Sequence, residues 1–360
     1  MAPSAILALC LLALASATAA KNPELVPQID AIMPEICTLS QGQGNKQVAS
    51  LVAQTIEHLR VVPDDAVVGI LDKIRAGQYC ADHAKLESLF LDAVAFVGEP
   101  GAFKVMAQEL AMGRTAGGRF GLYTVAVNLL TQPTLDHVAA LTPIFGMTDS
   151  NQLLSLAAST VVNRYCTQNA DCEQAAPVQE ILNVLSAKLD TQCTPDFSNV
   201  ETTQVLTTLK SVGNIGKTTT ALFGSVMKCA LTEGIETNVQ VASTLSLKGV
   251  SCMEPVTNGL KSVVLDSTKN TEVRIGSYLA AIHCVNEGDL LEVIDQMASE
   301  TNKQVQGFIL SHLENLKETN WQLPLKQNLR EILGSKNIPK DYMRNILKYS
   351  RNVEMSVNSP

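Results

Sequence analysis

The sequence predicts an all-α protein in which about 16–18 short helices stack as a two-layer array. Composition is the first reason. Of the 360 residues, 46% are apolar but only 4% are aromatic, which favours helix-on-helix packing over a β-sandwich. Spacing is the second reason, because apolar residues recur at helical intervals. The third is that a glycine, a proline or another turn residue returns about every 15–22 residues, which leaves room for short helices.

Three segments carry the apolar spacing i, i+3, i+4, i+7, i+8, i+11 of a helix with one wide buried face. They are residues 48–59, 86–97 and 305–316. Thr55 and His312 are polar members of these stripes. We expect His312 to lie in the core or between layers rather than to bind a ligand.

Helices are expected to start where aspartate or asparagine side chains can bind free amide groups, as at Asp64–Asp65 and Asn270. The helix predicted at residues 271–284 is apolar on two faces, one of small and one of larger side chains. A helix buried on two sides suits a stacked array. Because no exact sequence repeat occurs, the prediction is a degenerate solenoid of antiparallel helix pairs.

Residues 1–20 have the pattern of a secretory signal peptide. They contain no charged side chain, an apolar run at residues 5–14 and small residues up to Ala20. The run is too short for a membrane span, and no later segment approaches 18 uninterrupted apolar residues. We therefore expect a secreted, extracellular protein without a transmembrane segment; the alternative is a buried N-terminal helix.

Eight cysteines follow residue 20, and an even number in a secreted chain predicts disulfides. Cys166 and Cys172 flank a short polar loop, so they are the first pair that we expect. The alternative is free cysteines buried in a helical core. The partners of the others stay open at this point, namely those of Cys37, Cys80, Cys193, Cys229, Cys252 and Cys284.

The net charge of −8 argues against nucleic acid as a partner, because phosphate binding requires a dense Lys/Arg surface. Residues 213–219 read GNIGKTT, but Ser211 stands where a phosphate-binding loop needs its first glycine. The residues before it predict a helix, so we expect a turn between helices there. The five histidines are dispersed, and neither HExxH nor GxSxG occurs. We expect no catalytic residue, no metal ligand and no cofactor, and hence no enzyme.

Several stretches together resemble the helical domain of the large lipid transfer proteins, which include vitellogenins, insect apolipophorins, apolipoprotein B and microsomal triglyceride transfer protein. The stretches are residues 94–101, 209–216, 272–284, 302–316 and 348–356, together with Cys166-x5-Cys172 after residues 163–165. The closing segment at residues 348–356 is most similar to apolipophorins.

The resemblance implies a right-handed horseshoe of helices at residues 21–347, followed by a tail at residues 348–360. It also implies a second disulfide between Cys252 and Cys284. Family members carry a β-barrel before the helices and large lipid-holding sheets after them, and we expect both to be absent from this chain.

Lipid, either phospholipid or neutral lipid, is therefore the expected partner, with a β-rich lipoprotein subunit or a homo-oligomer covering the helices. The lipid-facing residues are unknown at this point. The alternative function is a secreted protein–protein interaction scaffold that has lost lipid handling, and the chain could also be a shortened form of a larger lipoprotein.

Overall fold

The computed structural model describes residues 20–41, 46–115, 117–147, 152–194, 202–250, 252–318 and 326–335. Most of the predicted signal peptide and the whole predicted tail lie outside these ranges. Within them the regular elements are seventeen α-helices and three short 3₁₀ segments, with no strand. This confirms the all-α class and the expected number of helices.

The helices of the first half are α1 (Val26–Ser40), α2 (Lys46–Val61), α3 (Asp64–Arg75), α4 (Ala84–Ala93), α5 (Pro100–Ala111), α6 (Gly118–Leu129), α7 (Leu135–Gly146), α8 (Gln152–Gln168) and α9 (Ala176–Gln192). Those of the second half are α10 (Thr202–Ile215), α11 (Thr220–Leu231), α12 (Thr237–Ser246), α13 (Glu254–Leu265), α14 (Thr271–Ala281), α15 (Glu287–Ser299), α16 (Lys303–Glu318) and α17 (Lys326–Ser335). The 3₁₀ segments are Pro23–Leu25, Val94–Phe96 and Cys172–Gln174.

The chain divides into two compact units, residues 1–184 and residues 185–360, with the border inside α9. In the first unit, α5 packs on both α3 and α7, and α6 packs on α8. In the second unit, α12 packs on α10, α11 and α14, and α14 packs in turn on α13 and α16. Contacts between next-but-one helices are the pattern of a two-layer solenoid, in which alternate helices share a layer.

Two side-chain bonds show that next-but-one helices run in the same direction in the first unit. His137 at the start of α7 donates from Nε2 to the carbonyl of Gly98, just before α5, at 3.0 Å. Arg164 near the end of α8 donates from Nη1 to the carbonyl of Asn128, near the end of α6, at 2.6 Å. The polar side chains thus align equivalent ends of stacked helices.

The start of α5 requires two glycines, one in the turn before it and one in its first turn. Gly98 has a φ of +80°, a left-handed conformation that favours glycine. A Cβ atom on Gly101 would lie 2.6 Å from the carbonyl oxygen of Asp64 at the start of α3. Glycine at position 101 therefore allows the N-terminal ends of α3 and α5 to meet.

The predicted stripes are buried to different extents. The stripe at residues 305–316 is buried throughout on α16, including His312, which is 1% exposed. In α2, by contrast, only Thr55 and Leu59 are buried, and the other stripe members are half-buried. The expected caps also differ. Asn270 accepts from the amide of Glu272 at 2.8 Å. The start of α3 has no side-chain cap, because Pro63 occupies the N-cap position, and Asp64 pairs with Lys21 at 3.2 Å.

Candidate functional site: an uncovered apolar face on α6

Helix α6 carries large apolar side chains on more than one side but is covered on one side only. Its sequence, GRFGLYTVAVNL, contains a single charged side chain, that of Arg119. Tyr123 and Val127 are its buried residues. A helix of this composition is normally buried on every side in a soluble protein, so its other face marks a candidate binding surface.

The uncovered face lies directly opposite the buried one. Leu122, Val125 and Leu129 follow the i, i+3, i+7 spacing that places side chains along one side of a helix. Val125 is 52% and Leu129 is 38% exposed, while Leu122 is half-buried. We call these three residues the α6 stripe.

The buried face of α6 is held firmly in the first unit. The Tyr123 hydroxyl donates to the carbonyl oxygen of Leu91 at 2.8 Å, and burial raises the pKa of Tyr123 above its ordinary value. Arg119 pairs with Asp92 at 2.8 Å and bonds the Ser88 hydroxyl at 2.8 Å. These bonds to α4 and its end fix which face of α6 points outwards.

The sequence on either side of the stripe is poor in charge. Residues 110–170 contain five charged side chains, namely Arg114, Arg119, Arg164, Asp136 and Asp149. That is about half the density of the whole chain, in which 17% of residues are charged. Six large apolar side chains are exposed among the described residues, and five of them lie from Met112 to Leu153. This concentration differs from the isolated exposed leucines of ordinary surfaces.

Each unit also contains an apolar crevice. The first holds about 10 Å³ between α1, α2 and α4, and the second about 10 Å³ between α13, α14 and α15. Both are smaller than the roughly 300–1,000 Å³ of sites that enclose drug-sized ligands. Neither crevice therefore encloses a lipid, and the exposed face of α6 is the stronger candidate. The first crevice is lined by Met33, Ile36, Val52, Thr55, Leu86, Leu89, Phe90 and Ala93. The second is lined by Lys261, Val264, Tyr278, Ala281, Ile282, Val285, Leu290 and Val293.

The cysteine side chains lie next to one another in pairs. Cys166 and Cys172 form a bond across the loop that ends α8, with their Cα atoms 5.1 Å apart. Cys252 and Cys284 form another at the same Cα separation, between the start of α13 and the end of α14. The residues whose partners the sequence left open join as Cys37–Cys80 and Cys193–Cys229.

The structure also contains buried polar pairs that the sequence did not indicate. Arg274, which is 0% exposed, pairs with Glu300 inside the second unit. In the first unit the buried carboxylate of Glu109 lies 2.7 Å from Nη2 of Arg75. His312 Nδ1 lies 2.8 Å from the Tyr278 hydroxyl. The side chains of each pair contact one another inside the packed helices. These pairs therefore have a structural role and do not imply a reaction.

The segment that resembles a phosphate-binding loop is a turn, as predicted. Helix α10 runs through Ile215, and Gly216 leaves it with a φ of +69°. The Thr219 hydroxyl then accepts from the amide of Leu222 and caps α11. The strand that precedes a phosphate-binding loop is replaced here by a helix.

Two kinds of feature are absent from the described residues. They contain no group of three or more histidine, cysteine, aspartate or glutamate side chains placed to hold a metal ion. None of the helices in these ranges combines the length and apolar character that a membrane crossing requires.

Sequence reasoning did not single out α6, although a signal was available. The acidic side chains nearest to the helix in sequence are Glu109 and Asp136, so the 26 residues between them contain none. Helix α6 has one charged side chain in twelve residues, whereas most of the other described helices have more. Such a low content of charge indicates a face that does not contact water.

Similarity to known proteins agrees with this fold. Residues 23–314 match the family model described as the vitellogenin TPR domain. The chain is 39% identical to a vitellogenin from Penaeus merguiensis over 94% of its own length and 13% of the relative's. It is 24% identical to the apolipophorins of Locusta migratoria, over 81% of this chain and 8% of that protein. It is also 25% identical to human apolipoprotein B-100, over 97% of this chain and 7% of that protein.

Among solved structures, one from work on lipid–protein interactions in lipovitellin matches with a TM-score of 0.62 and 16% identity. The match covers 95% of this chain and 36% of the lipovitellin chain, so it shows a shared helical fold. The chain spans about an eighth or less of the curated relatives above. Helix order, packing pattern and the match over residues 23–314 together show that this chain belongs to the vitellogenin TPR domain family, the helical domain of the large lipid transfer proteins.

Proposed function

We propose that the chain takes part in secreted lipid transport, either binding lipid itself or helping a β-rich lipoprotein partner to carry it. Its relatives include vitellogenins, apolipophorins and apolipoprotein B-100, and the solved neighbour comes from work on lipid–protein interactions. The observation that carries the proposal is the uncovered face of α6, because an exposed and charge-poor apolar surface requires a partner.

Secretion is supported by two features of the chain. Residues 1–20 have the signal-peptide pattern, and the eight cysteines after them lie as four bonded pairs. Disulfides persist in oxidising, extracellular environments. The proposal includes no catalytic step.

Solvent extraction and native mass spectrometry of the protein purified from culture medium test the proposal. We expect co-purified phospholipid or neutral lipid, and a mature N-terminus at or near Lys21. A lipid-free monomer whose stable complexes with other proteins also contain no lipid would overturn lipid transport in favour of the interaction scaffold.

A further inference from the structure

The first turn of α7 is closed by a capping box that contains a histidine. Thr134 precedes the helix, and its side chain accepts from the backbone amide of His137, three residues further on. The ring of His137 completes the box, because its Nδ1 accepts from the backbone amide of Thr134 at 3.1 Å. Glutamate or glutamine normally occupies this position. Here it is held by the side chain that titrates between pH 5 and pH 8.

The hydrogen bonds of the His137 ring require its neutral form. Nε2 lies 3.0 Å from the carbonyl oxygen of Gly98, which can only accept, so Nε2 carries the proton. Nδ1 is then the unprotonated nitrogen, which accepts from the Thr134 amide and lies 2.8 Å from the Thr134 hydroxyl. A second proton can be added only at Nδ1. There it would face the amide hydrogen of Thr134 and break one half of the capping box.

The packing around the ring also opposes a positive charge. His137 is 5% exposed, and the ring of Phe103 on α5 meets it edge-on, with the centroids 5.2 Å apart. Burial holds the pKa of His137 below 6.5, although the hydrogen bond to the carbonyl of Gly98 acts in the opposite direction. Protonation in the closed form is therefore unfavourable for two reasons, namely burial and the loss of an acceptor.

Charged groups on the neighbouring elements modify this effect without reversing it. Glu99, directly before α5, and Asp64, at the start of α3, favour a protonated ring, whereas Lys21 opposes it and pairs with both carboxylates. The one charged side chain of α7 is Asp136, which is exposed. That of α8 is Arg164, which bonds carbonyl groups at the end of α6.

We infer that His137 is an acid-sensitive cap, whose protonation opens the capping box of α7 and releases residues 131–137 from their packed position. The open form binds a proton that the closed form excludes, so acid shifts the equilibrium towards the open form. The change is local, because Arg164 holds the carbonyl of Leu130 at 2.7 Å without any contribution from His137. The response belongs to the chain alone and requires no ligand.

Hydrogen exchange followed by mass spectrometry tests the inference on the full secreted chain between pH 7.5 and pH 5.0. Labelling times are corrected for the intrinsic effect of pH on exchange. The test peptide spans the start of α7. The internal control is the start of α15, whose capping box consists of Asn286 and Asp289 and contains no histidine. The matched variant is His137→Gln, because glutamine can accept from the same amide and does not titrate.

We expect the corrected exchange of the α7 peptide to become at least about fivefold faster from pH 7.5 to pH 5.0, the factor that the loss of one helix cap produces. In His137→Gln the same peptide should change by less than about twofold, and so should the α15 peptide in both proteins. Far-UV circular dichroism should show the same helix content at both pH values, because the opening is local.

Equal responses of the α7 and α15 peptides in the wild-type chain would overturn the inference, and this comparison needs no variant. A folded His137→Gln protein with the wild-type response would also overturn it, as would a loss of helix content across the whole chain at pH 5.0. His137→Glu, which supplies an ordinary capping-box residue, repeats the comparison if the glutamine variant does not fold.

Discussion

Replacing Glu300 with alanine would remove one half of a buried ion pair that joins several helices of the second unit. Glu300, directly after α15, is 4% exposed, and its partner Arg274 on α14 is 0% exposed. Arg274 also donates from Nε to the carbonyl of Val264 in α13 at 2.9 Å. The other carboxylate oxygen of Glu300 accepts from the amide of Asn302, just before α16, at 2.7 Å. The variant therefore leaves a buried guanidinium unpaired and also removes a bond near the start of α16.

The expected cost is about 4 kcal/mol of unfolding free energy, because breaking one side of a buried pair costs about 3–5 kcal/mol. For a domain of this size that loss lowers the Tm by about 8–16 °C. Replacing both partners, as in R274M/E300L, should recover much of it, since no buried charge is then left alone.

Urea denaturation followed by circular dichroism measures Glu300→Ala and the double-mutant cycle of wild type, R274M, E300L and R274M/E300L. Asp65→Ala is the control, because Asp65 has a 93% exposed side chain and pairs with Lys104 at 3.0 Å; we expect a change within about 0.5 kcal/mol. A loss below about 1 kcal/mol for Glu300→Ala, or a double variant as unstable as the sum of the singles, would refute the reasoning.

The same pair has a pH signature. Burial raises the pKa of Glu300, but the hydrogen bonds from Arg274 and from the amides of Asn302 and Thr301, together with the positive charge of Arg274, outweigh it, so the net pKa lies below the ordinary 4.5. The stabilisation is therefore present above about pH 4.5 and is lost as the pH falls through the folded-state pKa. In the Glu300→Ala variant this part of the stability curve should be flatter.

Two further predictions concern His137 and Gly101, which contact neighbouring helices around the start of α5. Burial holds the pKa of His137 below 6.5, so unfolded chains bind a proton that the folded protein does not, and stability should fall from about pH 7.5 to 5.5. Thermal scans should show a smaller fall for His137→Gln, and equal falls would contradict the assignment. Gly101→Ala should cost about 1–3 kcal/mol, because its Cβ would lie 2.6 Å from the Asp64 carbonyl oxygen. Gly121→Ala, with nothing within 4 Å, should instead stabilise α6 by about 0.5–1 kcal/mol in urea denaturation, and similar effects at both sites would contradict this account.

Predictions from the sequence were accurate for the helices that are buried on most sides. In α14 and α16, apolar residues recur at regular helical spacing, so exposing their faces to solvent would be unfavourable. These residues are buried in the structure. Residue spacing alone suffices there, because a periodic apolar face is stable only against another helix. The same argument placed His312 in the interior, where it meets Tyr278.

Predictions were less accurate where the outcome depended on a distant side chain. The carboxylate of Asp64 was expected to cap α3, but Lys21 binds it instead. The sequence analysis did not identify the buried pair of Arg274, because nothing local indicates that Glu300, 26 residues away, neutralises it. Long-range pairs of this kind leave no trace in local periodicity.

The sequence by itself determined the helical class, the expected number of helices and the family, because these depend on local spacing and short motifs. Tertiary structure decided which apolar faces are covered. Periodicity shows that α6 is apolar on both sides, but only the packing of Tyr123 and Val127 shows which side is buried. The uncovered stripe is a property of three-dimensional neighbours, which a linear pattern does not contain.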